Sequence, residues 1–154
     1  MEIQFRNIKK QDIENMLQMC AETGYETRYE TLSAKVSDII KNKNSVIIVA
    51  VDDENKPAGW IQLEVSNFIF SERTCNILGL FVDKKYRGRR IGKKLLEKAA
   101  EWAKANNCIG LEIYSDITRI DSHEFYKHLD FKHIKTQQNF YKSMKFIDKE
   151  QAKD

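Results

Sequence analysis

The chain is best understood from LFVDKKYRGRRIGKKLL, residues 80 to 96. Its first residues, Leu80 to Val82, are apolar and predict a buried strand, while apolar positions from Ile91 to Ala103 recur at helical spacing. A glycine-containing turn joins the two. Such a turn presents unpaired backbone N–H groups and the positive end of a helix dipole, and both bind phosphate. The stretch therefore predicts a phosphate-binding site.

Basic residues are concentrated in this same stretch. Seven of the eleven residues from Lys84 to Lys94 are Lys or Arg, although the net charge of the chain is only +3. This concentration indicates a polyanionic partner. A basic surface loop or a nucleic-acid patch is the alternative, but nucleic-acid modules interleave aromatic residues with the charges, and only Tyr86 does so here. We therefore expect no nucleic-acid partner.

The composition favours one domain. The chain has 154 residues, 42% of them apolar, with one proline and no linker-like stretch, so we expect a single domain over residues 1–148 and a polar tail over 149–154. No segment resembles a signal peptide or a membrane span, which favours a cytoplasmic protein without a membrane partner. The cysteines Cys20, Cys75 and Cys108 form no CxxC pair, so we expect buried thiols and no metal site.

The periodicity along the chain predicts an α/β fold. Strands are expected near residues 3–8, 45–51, 58–65, 74–82, 108–114, 131–134 and 140–146, with a hairpin formed by the second and third. Helices are expected from Asp12 to Gly24, from Leu32 to Lys41, from Ile91 to about Asn106 and from Asp121 to His128. This order predicts a mixed sheet with helices on both faces.

The loop also carries a family motif. Arg87-Gly88-Arg89-Arg90-Ile91-Gly92 resembles the Q/R-x-x-G-x-G/A signature of the GNAT superfamily, the general-control-related N-acetyltransferases. The resemblance implies a GNAT-like, mostly antiparallel mixed sheet with a splayed pair of central strands. It also implies acetyl-coenzyme A as the cofactor. Arg90 occupies the middle glycine position, and we expect it to take an ordinary helical or turn conformation with its guanidinium near phosphate or solvent.

The resemblance implies which residues hold the cofactor. Contacts are expected along the strand end, the loop and the helix start, at Leu80, Phe81, Val82, Arg87, Gly88, Arg89, Arg90, Ile91, Gly92 and Lys93. The backbone N–H of Leu80 is the expected polariser of the thioester carbonyl, and Gly79 is expected to mark a bulge that frees it. Leu80 and Val82 would pair with the pantetheine amides as a neighbouring strand does.

A second motif follows the loop by about one helix and one strand. Residues 119 to 131 resemble the family pattern N-x-x-A-x-x-F-Y-x-x-x-G-F, with Arg119, Ser122 and Asp130 at the asparagine, alanine and glycine positions. Tyr126 matches, and the resemblance implies that it protonates the leaving thiolate, since a phenol has a pKa near 10. Arg119 and Ser122 are expected near the cofactor. Core packing of the aromatic residues is the alternative.

The acceptor site is expected in the segment AETGYETRYET, residues 21 to 31. In the family this region walls the acceptor pocket, and acidic and aromatic groups together attract a cationic amine. The expected substrate-binding residues are Glu22, Tyr25, Glu26 and Tyr29, together with Asp116, and Glu30 lies in the same segment. A solvated loop is the alternative.

The sequence offers several candidates for the general base and does not choose among them. Many relatives carry glutamate at the position of Asn76, and an amide accepts no proton at neutral pH. Candidates that would act through water are Glu64, Glu72 and Asp116, with His123 and His128 as further titrating groups. Each is also compatible with an ordinary solvated surface residue.

Together these features predict an N-acetyltransferase that moves an acetyl group from acetyl-coenzyme A to a primary amine. The motifs look most like the small-amine branch of the family, which includes aminoglycoside and aminoalkylphosphonate acetyltransferases, so the expected partner is a small cationic amine. The alternatives are a protein lysine or N-terminal acetyltransferase, and a non-catalytic coenzyme A-binding regulator. The resemblance also allows a homodimer.

Overall fold

The computed structural model describes residues 1–146. It contains two compact units, one spanning Met1–Asp116 and a second from Ile117 onward. The single domain expected over residues 1–148 stays a prediction. The polar tail expected over residues 149–154 lies outside the described residues.

The first unit is built on a five-stranded sheet. Its strands are β1 (Gln4–Asn7), β2 (Ser45–Val51), β3 (Pro57–Val65), β4 (Cys75–Val82) and β5 (Leu111–Ile113). They follow one another in chain order across the sheet, antiparallel except for the parallel pair β4 and β5. The hairpin of β2 and β3 is confirmed, and so is the mixed, mostly antiparallel sheet.

Four α-helices occur within residues 1–146: α1 (Ile13–Glu22), α2 (Tyr29–Lys41), α3 (Ile91–Ala105) and α4 (Ile120–His128). The α3 helix lies where its apolar spacing predicts it, and α2 begins three residues before the expected Leu32, at Tyr29. In this described part of the chain, no helix combines the length and the apolar character needed to cross a bilayer.

Helices cover both faces of the sheet, as predicted. Side chains of β2 alternate between the faces, so Ile47 and Val49 join a buried cluster with Ile13 and Met16 of α1 and Val36 of α2. On the other face, α3 packs against β3 and β4. There it buries Leu95 and Ala99 completely, beside the equally buried Ile61 and Leu63 of β3.

A buried ion pair anchors the entry into α1. Asp12 is 1% exposed and receives two hydrogen bonds from the Arg6 guanidinium, at 2.7 and 2.9 Å. The backbone N–H of Lys9 donates a third, at 2.7 Å. These three bonds satisfy the carboxylate that burial would otherwise penalise. They fix α1 to β1.

The strands β4 and β5 separate along their length. Their parallel pairing joins only Cys75–Ile77 to Leu111–Ile113, although β4 continues to Val82. This agrees with the splayed pair that the family resemblance implies. In the described part of the chain β5 is an edge strand, because β4 is its one pairing partner in the sheet.

The two final strands expected near residues 131–134 and 140–146 are wrong within the described residues. Positions 131–143 are irregular, and a short 3₁₀ turn spans Met144–Phe146. Their apolar side chains cover no core, since Ile134 is 74% exposed and Phe140 85% exposed. A strand whose side chains bury little gains too little to offset the entropy of ordering it.

Candidate active site

The turn between β4 and α3 is shaped by two residues with left-handed backbone. Gly88 has φ +77° and Arg90 has φ 61° and ψ 18°, so the expectation of an ordinary helical or turn conformation for Arg90 is wrong. Arg90 is the N-cap of α3, where the chain must turn sharply into the helix. A glycine adopts this left-handed conformation without strain, whereas an arginine there adds about 1–2 kcal/mol of strain energy. Its side chain is exposed, as expected.

The start of α3 leaves backbone donors available. The first bond of the helix runs from Lys94 N–H to the Arg90 carbonyl at 3.0 Å, so the N–H groups of Ile91, Gly92 and Lys93 precede the helical ladder. The side chains of Arg89, Arg90 and Lys93 are exposed around this turn. Unpaired N–H groups surrounded by cations fit a pyrophosphate, which is the group that the sequence predicts here.

A hydrogen bond ties the loop to the β2–β3 hairpin. The Tyr86 hydroxyl donates to Asp52 Oδ2 at 2.7 Å, which raises the pKa of Tyr86 to about 12 and lowers the pKa of Asp52. The Arg89 guanidinium lies 5.8 Å from the centre of the Tyr86 ring. Asp83 closes the first turn of the loop by accepting from Lys85 N–H at 2.8 Å. These contacts hold the loop in one shape.

A β-bulge lies in β4 where Gly79 predicts it. Gln62 of β3 pairs with Gly79 and Leu63 with Ile77, so Leu78 is the extra residue. A Cβ on Gly79 would stand 2.8 Å from Trp60 Cζ3. The bulge therefore needs glycine, because the indole of Trp60 fills the space beside it.

Beyond the bulge, β4 presents backbone groups to its open side. Asp83 N–H donates to the Ala58 carbonyl at 3.0 Å, and bonded pairs alternate along an antiparallel ladder. Leu80 and Val82 therefore direct their N–H and C=O groups away from β3, to the side where β5 has separated. The Val82 carbonyl accepts from Arg87 Nε at 3.1 Å, which agrees with this alternation. Among residues 1–146, Leu80 keeps a free backbone edge, while Arg87 and Val82 contact each other.

The sheet pairing forms a polar row that sequence reasoning only partly found. Asn76 of β4 is paired with Glu64 of β3 and with Glu112 of β5, so the three side chains are neighbours on one face. Asn76 Oδ1 is buried without a hydrogen-bond partner in the described residues. Glu64 was a candidate base from sequence, but Glu112 carries no local signal, since its position depends on pairing with a distant strand.

Apart from Asp116, the residues expected to bind the acceptor lie between the last residue of α1 and the first turn of α2. Glu22, Glu26 and Glu30 are exposed there, and Tyr29 is 37% exposed. Tyr25 is 52% exposed but already faces a cation, because Lys35 Nζ lies 5.7 Å from its ring centre and donates to its hydroxyl at 3.2 Å. The ring of Tyr25 is therefore less available for cation–π binding than its sequence position indicates.

Tyr126 lies on α4 in the second unit. Its ring packs edge-on against Phe125 and Phe131, with centroids 5.4 and 5.6 Å away. Burial raises the pKa of the Tyr126 hydroxyl, and the charge of Arg119 opposes the shift. The phenol therefore stays protonated at neutral pH, as an acid must. Arg119 occupies the N-cap position of α4 without a capping hydrogen bond from its side chain, and Ser122 is partly buried in the first turn of that helix.

The remaining candidate residues lie in loops of the first unit or on α4 of the second. Glu72 is exposed in the loop between β3 and β4, and Asp116 is exposed just after β5. His128 Nδ1 lies 2.7 Å from the Glu124 carbonyl within α4, while His123 is partly buried in the same helix. Among residues 1–146 no group of three or more His, Cys, Asp or Glu side chains could hold a metal ion.

Comparison with known proteins identifies the class to which this fold and loop belong. Residues 10–131 match the model of the acetyltransferase (GNAT) family. Because that match covers most of the chain, the protein belongs to the GNAT family.

Two archaeal relatives carry related names. An uncharacterized N-acetyltransferase from Methanocaldococcus jannaschii is 28% identical over 137 residues, which are 82% of this chain and 59% of that protein. This chain thus spans less than two thirds of the length of that relative. An uncharacterized N-acetyltransferase from Archaeoglobus fulgidus is 27% identical, over 84% of this chain and 93% of the relative.

Solved structures share the fold. A protein from Bacillus halodurans described as a transcriptional regulator has a TM-score of 0.79 and 27% identity, over 90% of this chain and all of that one. An aminoglycoside 6'-N-acetyltransferase from Acinetobacter baumannii has a TM-score of 0.80 over 93% of this chain and 99% of its own. Its 16% identity supports the fold alone.

Proposed function

We propose that this protein is an acetyl-coenzyme A-dependent N-acetyltransferase that acts on a primary amine of a small cationic molecule. The observation that carries the proposal is the start of α3, where three N–H groups precede the helical ladder within a turn of exposed arginines and lysines. Leu80, with its open backbone edge, lies near the end of β4, the strand that leads into this turn. Membership of the GNAT family supports the cofactor.

Each element has a role in the proposed reaction. The N–H groups from Gly88 to Lys93 bind the pyrophosphate, and the free backbone groups of Leu80 and the N–H of Val82 align the pantetheine arm. Leu80 N–H donates to the thioester carbonyl, so the oxyanion that forms on amine attack is stabilised. The neutral amine attacks and forms the C–N bond, and collapse of the tetrahedral oxyanion then breaks the C–S bond. Tyr126 gives its proton to the departing thiolate, and the proton lost by the amine nitrogen passes through water to the resulting phenolate.

A single assay separates catalysis from binding. Purified protein is incubated with acetyl-coenzyme A and a panel of amines, and the release of free thiol is measured. We expect thiol release with at least one small cationic amine. Release with a lysine peptide alone would favour a protein acetyltransferase. Thermal stabilisation by acetyl-coenzyme A without turnover of any amine would favour a regulator that binds coenzyme A.

The cofactor site has its own test. Gly92→Glu places a carboxylate at the second position of α3, where it repels phosphate, so affinity for coenzyme A should fall below detection while the circular dichroism stays unchanged. Ala105→Glu at the far end of α3 makes the same change of charge and should leave the affinity as it is. Unchanged affinity of Gly92→Glu in calorimetry would contradict the assignment.

A further inference from the structure

The loop between β3 and β4 carries three adjacent apolar side chains, which we call the apolar tip. Phe68 is 61% exposed, and Ile69 and Phe70 are each 85% exposed. The tip has a defined shape, because Ser71 N–H donates to the Phe68 carbonyl at 3.2 Å and the rings of Phe68 and Phe70 meet edge-on at 5.7 Å. A contiguous exposed apolar patch of this kind marks an interaction site.

The loop is anchored at its base by the segment between α3 and β5. Ile109 N–H donates to the Arg73 carbonyl at 2.9 Å, and Arg73 Nε donates to the Asn106 carbonyl at 2.8 Å. Ile109 is itself 71% exposed, so it adds a fourth apolar side chain at this end of the sheet. The apolar tip is therefore held on a fixed base.

Exposed cations surround the apolar tip. β1 ends at this end of the sheet and β2, β4 and β5 begin here, so four connecting segments meet: 8–12, 42–44, 66–74 and 106–110. The exposed charged side chains of these segments are four cations and one anion: Lys9, Lys10, Lys43, Arg73 and Glu72. Their net charge is +3. Asp12 adds nothing to it, because its carboxylate is buried against Arg6.

The nearest acids on the strands do not cancel this charge at the end of the sheet. Glu64 lies on β3 and Glu112 on β5, and strand side chains point to the faces of a sheet. The end of the sheet therefore combines apolar side chains with an excess of positive charge.

This combination favours an anionic bilayer over a second copy of the chain. Two copies docked through the apolar tip would bring the same positive charge face to face. Three side chains would also bury only roughly 500 Å² in each copy, against about 800 Å² per partner in a stable interface. A bilayer needs no matching protein surface, because apolar side chains enter the acyl boundary while lysines stay with the anionic headgroups.

We infer that the end of the sheet around Phe68, Ile69 and Phe70 binds the surface of an anionic membrane. The expectation of no membrane partner rests on the lack of a spanning segment, and this peripheral contact requires none. The inference is independent of the proposed acetyl transfer. β4 begins at this end of the sheet, and its other end, at Val82, leads into the turn proposed for coenzyme A.

Co-sedimentation with vesicles tests the apolar tip. We expect binding to phosphatidylcholine vesicles with about 30% phosphatidylserine that is at least about tenfold stronger than binding to phosphatidylcholine alone. Phe70→Ser should lower the partition coefficient about tenfold, since it removes one inserted ring. Phe140→Ser, at a side chain with the same 85% exposure outside the loop, is the matched control and should leave it unchanged. Equal effects of the two variants, or no binding by the wild type, would overturn the inference.

The cations have a separate test. Lys43→Gln should weaken binding to the anionic vesicles about fivefold, and high salt should remove this difference. Lys56→Gln, at the exposed turn between β2 and β3 at the opposite end of the sheet, is its control and should bind as the wild type does. Sedimentation velocity without vesicles should be the same for the wild type and Phe70→Ser. A wild-type dimer that Phe70→Ser dissociates would assign the tip to a second copy and overturn the membrane contact.

Discussion

Two single residues stand where the family motifs have glycine, and both take left-handed backbone. Arg90 has φ 61° at the start of α3, and Asp130 has φ 65° just after α4. Asp is among the residues that enter this region more readily, whereas arginine lacks a short polar group that could bond locally. Both substituted residues therefore keep the left-handed backbone conformation that glycine would adopt. This conformation costs more free energy at Arg90 than at Asp130.

Arg90→Gly should stabilise the protein. Removing the side chain relieves about 1–2 kcal/mol of left-handed strain, and the greater freedom of glycine in the unfolded chain offsets about half of that gain. We expect the free energy of unfolding to rise by about 0.5–1 kcal/mol in urea titrations. Arg90→Ala is the control, because it loses the same charge but keeps the strain. A glycine variant less stable than the alanine variant would refute a strained Arg90.

Tyr126→Phe should lower turnover without loosening the cofactor. The variant keeps the ring and its contacts with Phe125 and Phe131 but cannot donate a proton, so single-turnover rates should fall about 10²–10⁴-fold. Because burial raises the pKa of Tyr126 above its ordinary value of 10.0, the wild type should keep this acid protonated through neutral pH.

Phe125→Ala is the control for packing around Tyr126. Phe125 stacks edge-on against the Tyr126 ring, so its removal should lower the melting temperature, whereas Tyr126→Phe should not. Full single-turnover activity in Tyr126→Phe would assign the proton to water or another group and leave Tyr126 with a packing role.

At the scale of elements, the two halves of β4 have different functions. Cys75 to Ile77 pair on both sides and build the sheet, whereas Leu80 to Val82 pair only with β3 in the described part of the chain and keep one edge open. The bulge at Leu78 and Gly79 marks the change between the two halves. The open edge depends on this bulge and on the early end of β5.

Gly79→Ala should damage the bulge and the cofactor site together. The new methyl group would lie 2.8 Å from Trp60 Cζ3, so either the indole or β4 must move. We expect a loss of about 1–3 kcal/mol in the free energy of unfolding, together with weaker binding of acetyl-coenzyme A in calorimetry. Gly110→Ala is the matched control, since a Cβ there meets no atom within 4 Å. Equal behaviour of the two variants would show that the space beside Gly79 is not limiting.

At the scale of the whole molecule, the loop between β4 and α3 is held by contacts with distant parts of the chain. The Tyr86 hydroxyl bonds to Asp52 at the tip of the β2–β3 hairpin, and Asp52 also accepts from the N–H groups of Glu54 and Lys56. The order of the loop is therefore coupled to the order of the hairpin. Because of this coupling, the free energy of unfolding depends on the protonation of Asp52 and Tyr86.

The stability contributed by this pair should depend on pH in a defined window. The folded pKa of Asp52 is lowered, so its contribution is present above the ordinary aspartate value of 3.8 and is lost as the pH falls through the lowered value. The pKa of Tyr86 is raised to about 12, so its contribution is present below the ordinary value of 10.0 and is lost as the pH rises toward 12.

Tyr86→Phe removes the hydroxyl that links the pair. We expect the difference in the free energy of unfolding between wild type and variant to be level from about pH 5 to 9 and to shrink in acid below about pH 4. Chemical denaturation across this range measures it. Tyr141→Phe, at a side chain that is 87% exposed, is the control and should show no such window. If the difference in the free energy of unfolding between wild type and Tyr86→Phe is the same at pH 2 and pH 7, the effect of Tyr86 does not come from its bond to Asp52.

Local patterns in the sequence were enough to predict the strands β2, β3 and β4, the helix α3 and the glycine-containing turn between β4 and α3. These features depend on residues close together in the chain, and periodicity and turn chemistry report on them directly. The bulge at Gly79 belongs to the same class, since a glycine inside an apolar strand marks it.

Other features were settled only by the tertiary structure. The irregular course of residues 131–143 contradicts the local alternation, because a strand also needs a buried face. The left-handed Arg90 follows from the path that the chain must take into α3. The row of Glu64, Asn76 and Glu112 exists only through pairing of three strands, and the bond between Tyr86 and Asp52 joins a loop to a hairpin. Sequence periodicity carries no information on register between distant segments, so only the packed sheet decides which side chains become neighbours.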